Sequence, residues 1–308
     1  MNSSVISYTH FNEELVLTND IIIFQRIGAN GVMISSNDAN GIFTLIDQYK
    51  NSKMFIYLLD DLLLDDQDGL PIEFIKRCNA VICSNDSIEK HIQMYNKNVH
   101  VLRTFVDMKV IDKTQAMELA GFNIIWASTG GFGLDIMKQI ITTIRNELDI
   151  NFICMGGSAK LFKSIEGTTI VPIVPFEQMV SYLKGCQILL NPMIADEAAI
   201  IRIQKRNRRT IKEFIDCKSE IKYALAGATN TAIISSKTSS YLYAIKDNEN
   251  GILVDSAPED WIKAIKRLYY DENLRSHIIN NAYNDVAKNY TLDKAAQNII
   301  SIFGKLFV

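Results

Sequence analysis

The sequence predicts an α/β protein built as two Rossmann-like domains facing each other across a cleft. Three observations lead there. Short apolar runs alternate with segments of helical apolar spacing in both halves, the pattern of parallel sheets assembled from βαβ units. The 308 residues suffice for two compact domains of roughly 100–200 residues each. A stretch polar on one side, residues 107–121, separates the halves and sets the domains at 1–110 and 111–308. Ligands of such sheets bind in the crevice at the C-terminal ends of the strands.

In the first half the strand-like runs are 21–25, 54–59, 80–84 and 99–102, with helical spacing at 39–50, 71–78 and 87–95. In the second half the strands are 123–127, 151–155, 169–174, 188–190, 231–235 and 251–254. Helices at 134–148, 176–184, 219–226 and 258–270 fit between or after them. Two more helical segments, 272–288 and 292–307, follow without further strands, and the last is placed to pack back on the first domain.

Composition sets the class. Charged residues at 22% and hydrophobic ones at 48% are ordinary for a globular protein. A net charge of −3 gives no general attraction to nucleic acid or to an anionic membrane. No apolar run reaches the roughly 20 residues that span a bilayer, and residues 1–17 lack the basic flank and apolar core of a signal peptide. Cys78, Cys83, Cys154, Cys186 and Cys217 form no CxxC pair, and His10, His91, His100 and His277 are scattered. Such cysteines read as small core residues of a reducing compartment. A cytoplasmic protein without a structural metal is the expectation.

Two places carry chemistry. Gly130, Gly131 and Gly133 lie between the first strand and first helix of the second half, where glycine lets backbone N–H groups approach an anion. The spacing is not GxGxxG, so no nicotinamide-type fingerprint is present, and a plain tight turn explains the glycines as well. Lys218, Ser219, Glu220 and Lys222 open the helix at 219–226, and a helix N-terminus suits a phosphate. Lys218 and Lys222, four apart, share one face if both are helical; the alternative is a solvated helix start capped by Ser219. Asp60 and Asp61 end an apolar strand and face the cleft, as a contact to reacting groups or as turn caps. Arg26 ends another strand and supplies cleft charge or an ion-pair partner.

Two charged runs also stand out. Asp65, Asp66 and Asp68 do not complete an EF-hand frame, because Leu64 and Ile75 stand where acids are needed. Arg202, Lys205, Arg206, Arg208, Arg209 and Lys212 form a basic run. It reads as a solvated helix face, or as a peripheral contact with a lipid-linked diphosphate or the membrane surface. It lacks interleaved aromatics, so nucleic acid is not the expected partner.

The order of these pieces resembles the group 1 (family 4) glycosyltransferases, of GT-B fold. One subset has a glycine-bearing loop followed by an aspartate and a Lys-Ser-x-x-Lys helix start; this chain has Gly130-Gly131-Phe132-Gly133-Leu134-Asp135 and Lys218-Ser219-Glu220-Ile221-Lys222. Ser236, Tyr241, the segment from Asp247 through Asn250-Gly251 to Val254, Asp260-Trp261 and Leu274-Arg275 continue the likeness. The first half resembles the subset more loosely, through residues 21–26, 57–64 and 81–84, and is shortened at its front. The resemblance implies retaining, metal-independent, hexosyl-type transfer from a nucleotide-sugar, with no separate cofactor, to a glycan or lipid-linked acceptor in polysaccharide biosynthesis. It assigns the diphosphate to Gly130, Gly131, Gly133, Ser219, Glu220 and Lys222, and the base to the turn of Val174, Pro175 and Phe176. Asp60, Asp61 and Lys218 are the implied catalytic residues.

The broader family carries two glutamates eight residues apart around this helix, and here those positions are Cys217 and Leu225. Neither accepts a hydrogen bond from a ribose hydroxyl as a carboxylate does, and Glu220 is the nearest replacement. The rival expectation is therefore a non-catalytic glycosyltransferase-like subunit or binding module. An epimerase of the same shape would need cleft carboxylates and a histidine that the sequence does not supply.

Overall fold

The structure, a computed structural model, describes residues 5, 7–25, 27, 34–62, 64, 69–128, 132–163, 165–195 and 210–306. Two compact units result. Unit 1 comprises Met1–Arg103, Gln204–Lys218 and Ile299–Val308; unit 2 comprises Thr104–Ile203 and Ser219–Asn298. A single cut near residue 110 thus describes only the first crossing, because later segments return to the first core.

Unit 1 runs α1 (Glu13–Thr18), β1 (Ile21–Gln25), α2 (Ser36–Tyr49), β2 (Met54–Leu59), α3 (Leu70–Arg77), β3 (Ala80–Cys83), α4 (Asp86–Ile92) and β4 (Val99–Val101). Its strands are parallel and lie in the order β1-β2-β3-β4. Right-handed crossovers between sequential neighbours put every connecting helix on one face. Ile42 and Ile46 of α2, Phe74 of α3 and Ile88 of α4 accordingly share one core with Phe24, Phe55, Tyr57 and Val81. The helices start where side chains satisfy their first N–H groups: Ser35 accepts from Asp38, and Asn85 accepts from Ile88.

The other face of this sheet is thin. Ile56, Ala80 and Ile82 pack against Ile302, with Phe303 and Leu306 beside them. Ile23 on β1 remains 46% exposed, although a parallel sheet is ordinarily covered on both sides.

Unit 2 begins with α5 (Met108–Lys113), β5 (Phe122–Ala127), α6 (Leu134–Arg145), β6 (Ile150–Met155), β7 (Thr168–Val171), α7 (Phe176–Lys184) and β8 (Ile188–Asn191). After α8 (Ile211–Asp216), which belongs to unit 1, it resumes with α9 (Ile221–Ala228), β9 (Ala232–Ser236), α10 (Ser239–Ala244), β10 (Ile252–Val254), α11 (Pro258–Tyr270) and α12 (Glu272–Asn289). The last helix, α13 (Leu292–Leu306), contributes to both units.

The six strands are parallel in the order β10-β9-β8-β5-β6-β7. The order reverses between β5 and β8, the switch point at which a doubly wound sheet opens a crevice. Alternate residues serve opposite faces. Ile124 and Trp126 of β5 join α6 and α11, and Ile125 joins α7, α9 and α12. The α/β class with parallel sheets is the one the sequence predicts. Among the described residues, no helix is long and apolar enough to cross a membrane.

Candidate functional site

The sheet of unit 2 positions its candidate groups at the C-terminal ends of β5, β7, β8 and β9. Gly133 closes the turn after β5 with φ at +70°, and a Cβ there would sit 2.6 Å from Cβ of Pro192. That contact, with the Gly133 N–H donating to the Ile194 carbonyl at 2.9 Å, joins the two sides of the switch point. The Gly133 amide is therefore committed to the chain. Gly130 and Gly131 lie outside the described residues, as do Arg26, the acidic residues Asp65, Asp66 and Asp68, and the basic run from Arg202 through Arg209.

The helix expected to hold a diphosphate begins two residues later than the apolar spacing suggests. Glu220, not Ser219, is the N-cap of α9, and it makes no side-chain cap hydrogen bond. Lys218 therefore precedes the helix, and Lys218 and Lys222 do not share a helical face. Lys222 stands in the first turn, half-buried like Ser219, while Glu220 is fully buried. The Tyr241 hydroxyl, from α10, faces the Lys222 backbone N–H and the Asn191 side chain, close to the Glu220 carboxylate. Burial, then the Glu220 charge, raises the Tyr241 phenol above its ordinary value.

Hydroxyl and amide side chains cluster around that tyrosine. Asn191 ends β8 and donates from Nδ2 to Ser235 Oγ at 2.8 Å. Ser236 Oγ accepts from the Met193 N–H at 3.0 Å. Asn191, Ser235, Ser236, Thr238 and Ser240 are all buried. The sequence signal for this group is the run Ser235-Ser236-Lys237-Thr238-Ser239-Ser240-Tyr241 directly after an apolar strand, and residue-level reading did not single it out as a site.

At the far side of the same sheet, Pro175 is the N-cap of α7 and Phe176 its first residue. Phe176 is 41% exposed and Val174 packs partly into the core, so this turn carries a partly exposed aromatic residue.

In unit 1 the structure brings two of the predicted catalytic residues together. The Lys218 ammonium lies 2.8 Å from Asp61 Oδ1 and 4.3 Å from the centre of the Phe214 ring. Cys217 next to it is fully buried among the α2–α4 core residues, and its carbonyl accepts from Asn85 Nδ2 at 2.8 Å. Asp60 stands one position away. Its carbonyl accepts from Ser84 Oγ at 3.0 Å, and it lines a hollow with Gln25, Leu58, Ile82 and Leu102. At about 120 Å³ this hollow is smaller than the roughly 300–1,000 Å³ of typical ligand pockets. All five cysteines are buried and free; burial pushes the Cys83 and Cys186 thiols up to about 12. Among the described residues, no group of three His, Cys, Asp or Glu side chains is placed to hold a metal ion.

Residues 226–285, from the middle of α9 into α12, match the family model described as glycosyl transferases group 1. This segment is of the group 1 glycosyltransferase type. The whole chain is similar in structure to sucrose-phosphate synthase from Thermosynechococcus elongatus, with TM-score 0.68 and 11% identity, over 94% of this chain and 74% of that one. It is likewise similar to Anabaena HepE in complex with UDP-glucose, with TM-score 0.68 and 12% identity, over 95% and 81% of the two chains. A glycosyltransferase from Rickettsia africae aligns with TM-score 0.66 and 13% identity, over 100% and 84%. At these identities the likeness is one of fold, and the fold is that of the GT-B glycosyltransferases. No curated protein matches the sequence. The group 1, GT-B resemblance read from the glycine turn and the Lys-Ser-x-x-Lys start agrees with both findings.

Proposed function

We propose that this chain is a glycosyltransferase that moves a sugar from a nucleotide-sugar donor to a glycan or lipid-linked acceptor. The observation that carries the reading is the placement of the group 1 segment. It takes in the end of α9, whose start at Ile221 lies just before the segment, at the C-terminal edge of a doubly wound sheet that switches order between β5 and β8. Strand order, helix N-terminus and loop ends all favour an anionic nucleotide ligand there. The sheet of unit 1, whose strands follow sequence order, has no such reversal, which leaves unit 2 as the donor side. The structural neighbour HepE is described with UDP and with UDP-glucose, which supports a nucleotide-sugar donor.

On this reading, the base lies on the turn of Val174, Pro175 and Phe176. The diphosphate meets the loop of Gly130 and Gly131, whose turn Gly133 closes, together with Ser219 ahead of α9 and Lys222 in its first turn. Lys218 and Asp61 act as a pair: the ammonium stabilises charge on the departing phosphate, and the carboxylate fixes its position. Fixed amides and a lysine supply the charge stabilisation that a divalent ion gives in other transferases. Transfer is then metal-independent and retaining, with the leaving phosphate taking the acceptor proton. The exposed Lys212 on α8 and the basic residues before it form the peripheral contact with an anionic lipid acceptor or surface.

A second reading, a binding module without turnover, is favoured by Cys217 and Leu225. Both are buried apolar residues where the resemblance calls for carboxylates. A thermal-shift screen with UDP, GDP, CDP and their sugars tests the binding claim, since a ligand at 100 times its Kd stabilises the native state by about 2.7 kcal/mol. Release of nucleotide from a bound donor in the presence of EDTA then separates the two readings. Binding with no release under any donor rejects transfer, and no shift with any nucleotide rejects both.

A further inference from the structure

One fully buried hydroxyl ties the first turn of α9 to α12 and to the exit of α10. Tyr223 is the third residue of α9. Its hydroxyl donates to Asp285 Oδ2 on α12 at 2.6 Å and accepts from Asn250 Nδ2 at 2.7 Å. Asn250 in turn holds the backbone that leaves α10. Its Nδ2 also donates to the Ala244 carbonyl at 3.2 Å, and its Oδ1 accepts from the Lys246 N–H at 2.7 Å. The direction of each bond is fixed. A backbone N–H only donates, so the amide oxygen of Asn250 faces Lys246 and the amide nitrogen faces Tyr223; the phenol proton then goes to the carboxylate. Asn289 Nδ2 donates to the other carboxylate oxygen at 2.7 Å. Burial first, and the Asp285 hydrogen bond second, raise the Tyr223 phenol above its ordinary value, which keeps it a donor at neutral pH.

Packing alone does not ask for this hydroxyl. The Tyr223 ring meets the Tyr290 ring edge to face, with centroids 5.6 Å apart, and phenylalanine would fill the same space. What packing leaves open is register. One turn further along α9, Gly227 lies so close to α12 that a Cβ there would sit 2.6 Å from Val286 Cγ2 and 2.8 Å from the Ala282 carbonyl oxygen. Helix pairs set their register by interlocking side chains, and a glycine contact offers none. It fixes how near α9 lies to α12, but not how α9 slides or turns. The hydrogen bonds through Tyr223 supply that constraint, at the end of the helix that carries Lys222. The Lys222 backbone N–H faces the Tyr241 hydroxyl of α10, the helix whose exit Asn250 holds.

We infer that Asn250 and Asp285 are positioning residues for the diphosphate of the donor: through the Tyr223 hydroxyl they hold the first turn of α9 in the register that presents Lys222. This rests on the donor reading above and deepens it, since it adds residues that act on the phosphates at one remove.

The test uses the full chain and the variants Tyr223→Phe, Asp285→Ala, Asp285→Asn, Lys222→Ala and the double variant Tyr223→Phe with Lys222→Ala. Titration calorimetry measures UDP and GDP directly, and uridine and guanosine by competition against them. Tyr223→Phe and Asp285→Ala are expected to bind the preferred diphosphate about tenfold more weakly, the order of one misplaced charge-assisted hydrogen bond, with the matching nucleoside within about twofold of wild type. Asp285→Asn keeps an oxygen for the phenol proton and should stay within about twofold for both ligands. In the Tyr223→Phe chain, Lys222→Ala should weaken the diphosphate by no more than about twofold further, because the two residues act along one path. Equal loss for diphosphate and nucleoside overturns the inference, as does a full additive loss in the double variant; either makes the hydroxyl merely structural. Unchanged diphosphate affinity in Tyr223→Phe overturns it too, and so does failure of both Tyr223→Phe and Asp285→Ala to fold. If Lys222→Ala leaves diphosphate binding unchanged, the donor reading stands and this inference alone falls. A wild-type chain that binds neither diphosphate overturns the donor reading itself, and this inference with it.

Discussion

Replacing Gly227 by alanine gives opposite expectations from local propensity and from the tertiary structure. Gly227 lies inside α9, where alanine is favoured over glycine by about 0.8–1.0 kcal/mol. In the folded protein, however, a Cβ at this position would lie 2.6 Å from Val286 Cγ2 and 2.8 Å from the Ala282 carbonyl oxygen. The valine can turn, but the carbonyl is part of the α12 backbone, so the two helices must separate by several tenths of an ångström. Overpacking of this kind costs about 1–3 kcal/mol. After the propensity gain, the net loss is on the order of 1–2 kcal/mol. For a domain of unit 2's size that lowers Tm by roughly 2–8 °C. The assay is selective, because the chain's two tryptophans, Trp126 and Trp261, are both fully buried in unit 2. Their fluorescence follows the melting of that unit alone. Gly41→Ala in α2 is the control: nothing lies within 4 Å of its added Cβ, so stability should rise by about 0.5–1 kcal/mol. A Gly227→Ala protein whose tryptophan transition sits at or above wild type would refute the close approach of α9 to α12.

Three further outcomes are expected. Lys218→Ala and Asp61→Asn should each lower transfer at least tenfold, and their stability coupling in a double-mutant cycle should be about 0.2–1 kcal/mol, as for other partly exposed pairs; zero coupling rejects the ion pair. A thiol reagent at pH 8 should label none of the five cysteines quickly in the native protein and all five after denaturation, because all five are buried, burial raises the pKa values of Cys78, Cys83, Cys154 and Cys186, and only thiolates react; rapid native labelling would contradict the packing of Cys83 or Cys186. His100 is held below its ordinary 6.5 by burial first and by Lys305 second, so the unfolded chain binds its proton more readily. Its stabilising contribution is complete above pH 6.5 and is lost as pH falls from there through the folded value. A urea midpoint for unit 1 that falls less between pH 7 and pH 5 in His100→Gln than in wild type checks this sign.

Much of the fold was legible because parallel strands buried on both faces read as apolar runs. The runs at 21–25 and 54–59 coincide with β1 and β2, and the helices at 176–184 and 258–270 coincide with α7 and α11. Helix starts governed by a single turn were less so. Lys218-Ser219-Glu220 has the polarity of a first helical turn, yet its lysine is drawn to Asp61 and Phe214 and the helix begins at Ile221. The short helices α1, α5 and α8 were not predicted as separate elements, because six residues carry too little periodicity to separate them from loops. The glycine turn was visible as a close approach, but sequence cannot show that Pro192 and Ile194 are what Gly133 approaches. The cluster around Asn191 was missed for a related reason. Its members come from β8, β9 and α10, and only their common burial distinguishes them from ordinary surface serines and threonines.

The thin face of the unit 1 sheet also bears on how this protein is made. Ile56, Ala80 and Ile82 emerge early during synthesis, while Ile302, which covers them, is translated far later, after nearly all of unit 2. Until then a flat, water-exposed strip of aliphatic side chains stays uncovered, an invitation to chaperones or to sticky encounters with other nascent chains. Clipping or unwinding α13 in the mature protein would re-create that immature state.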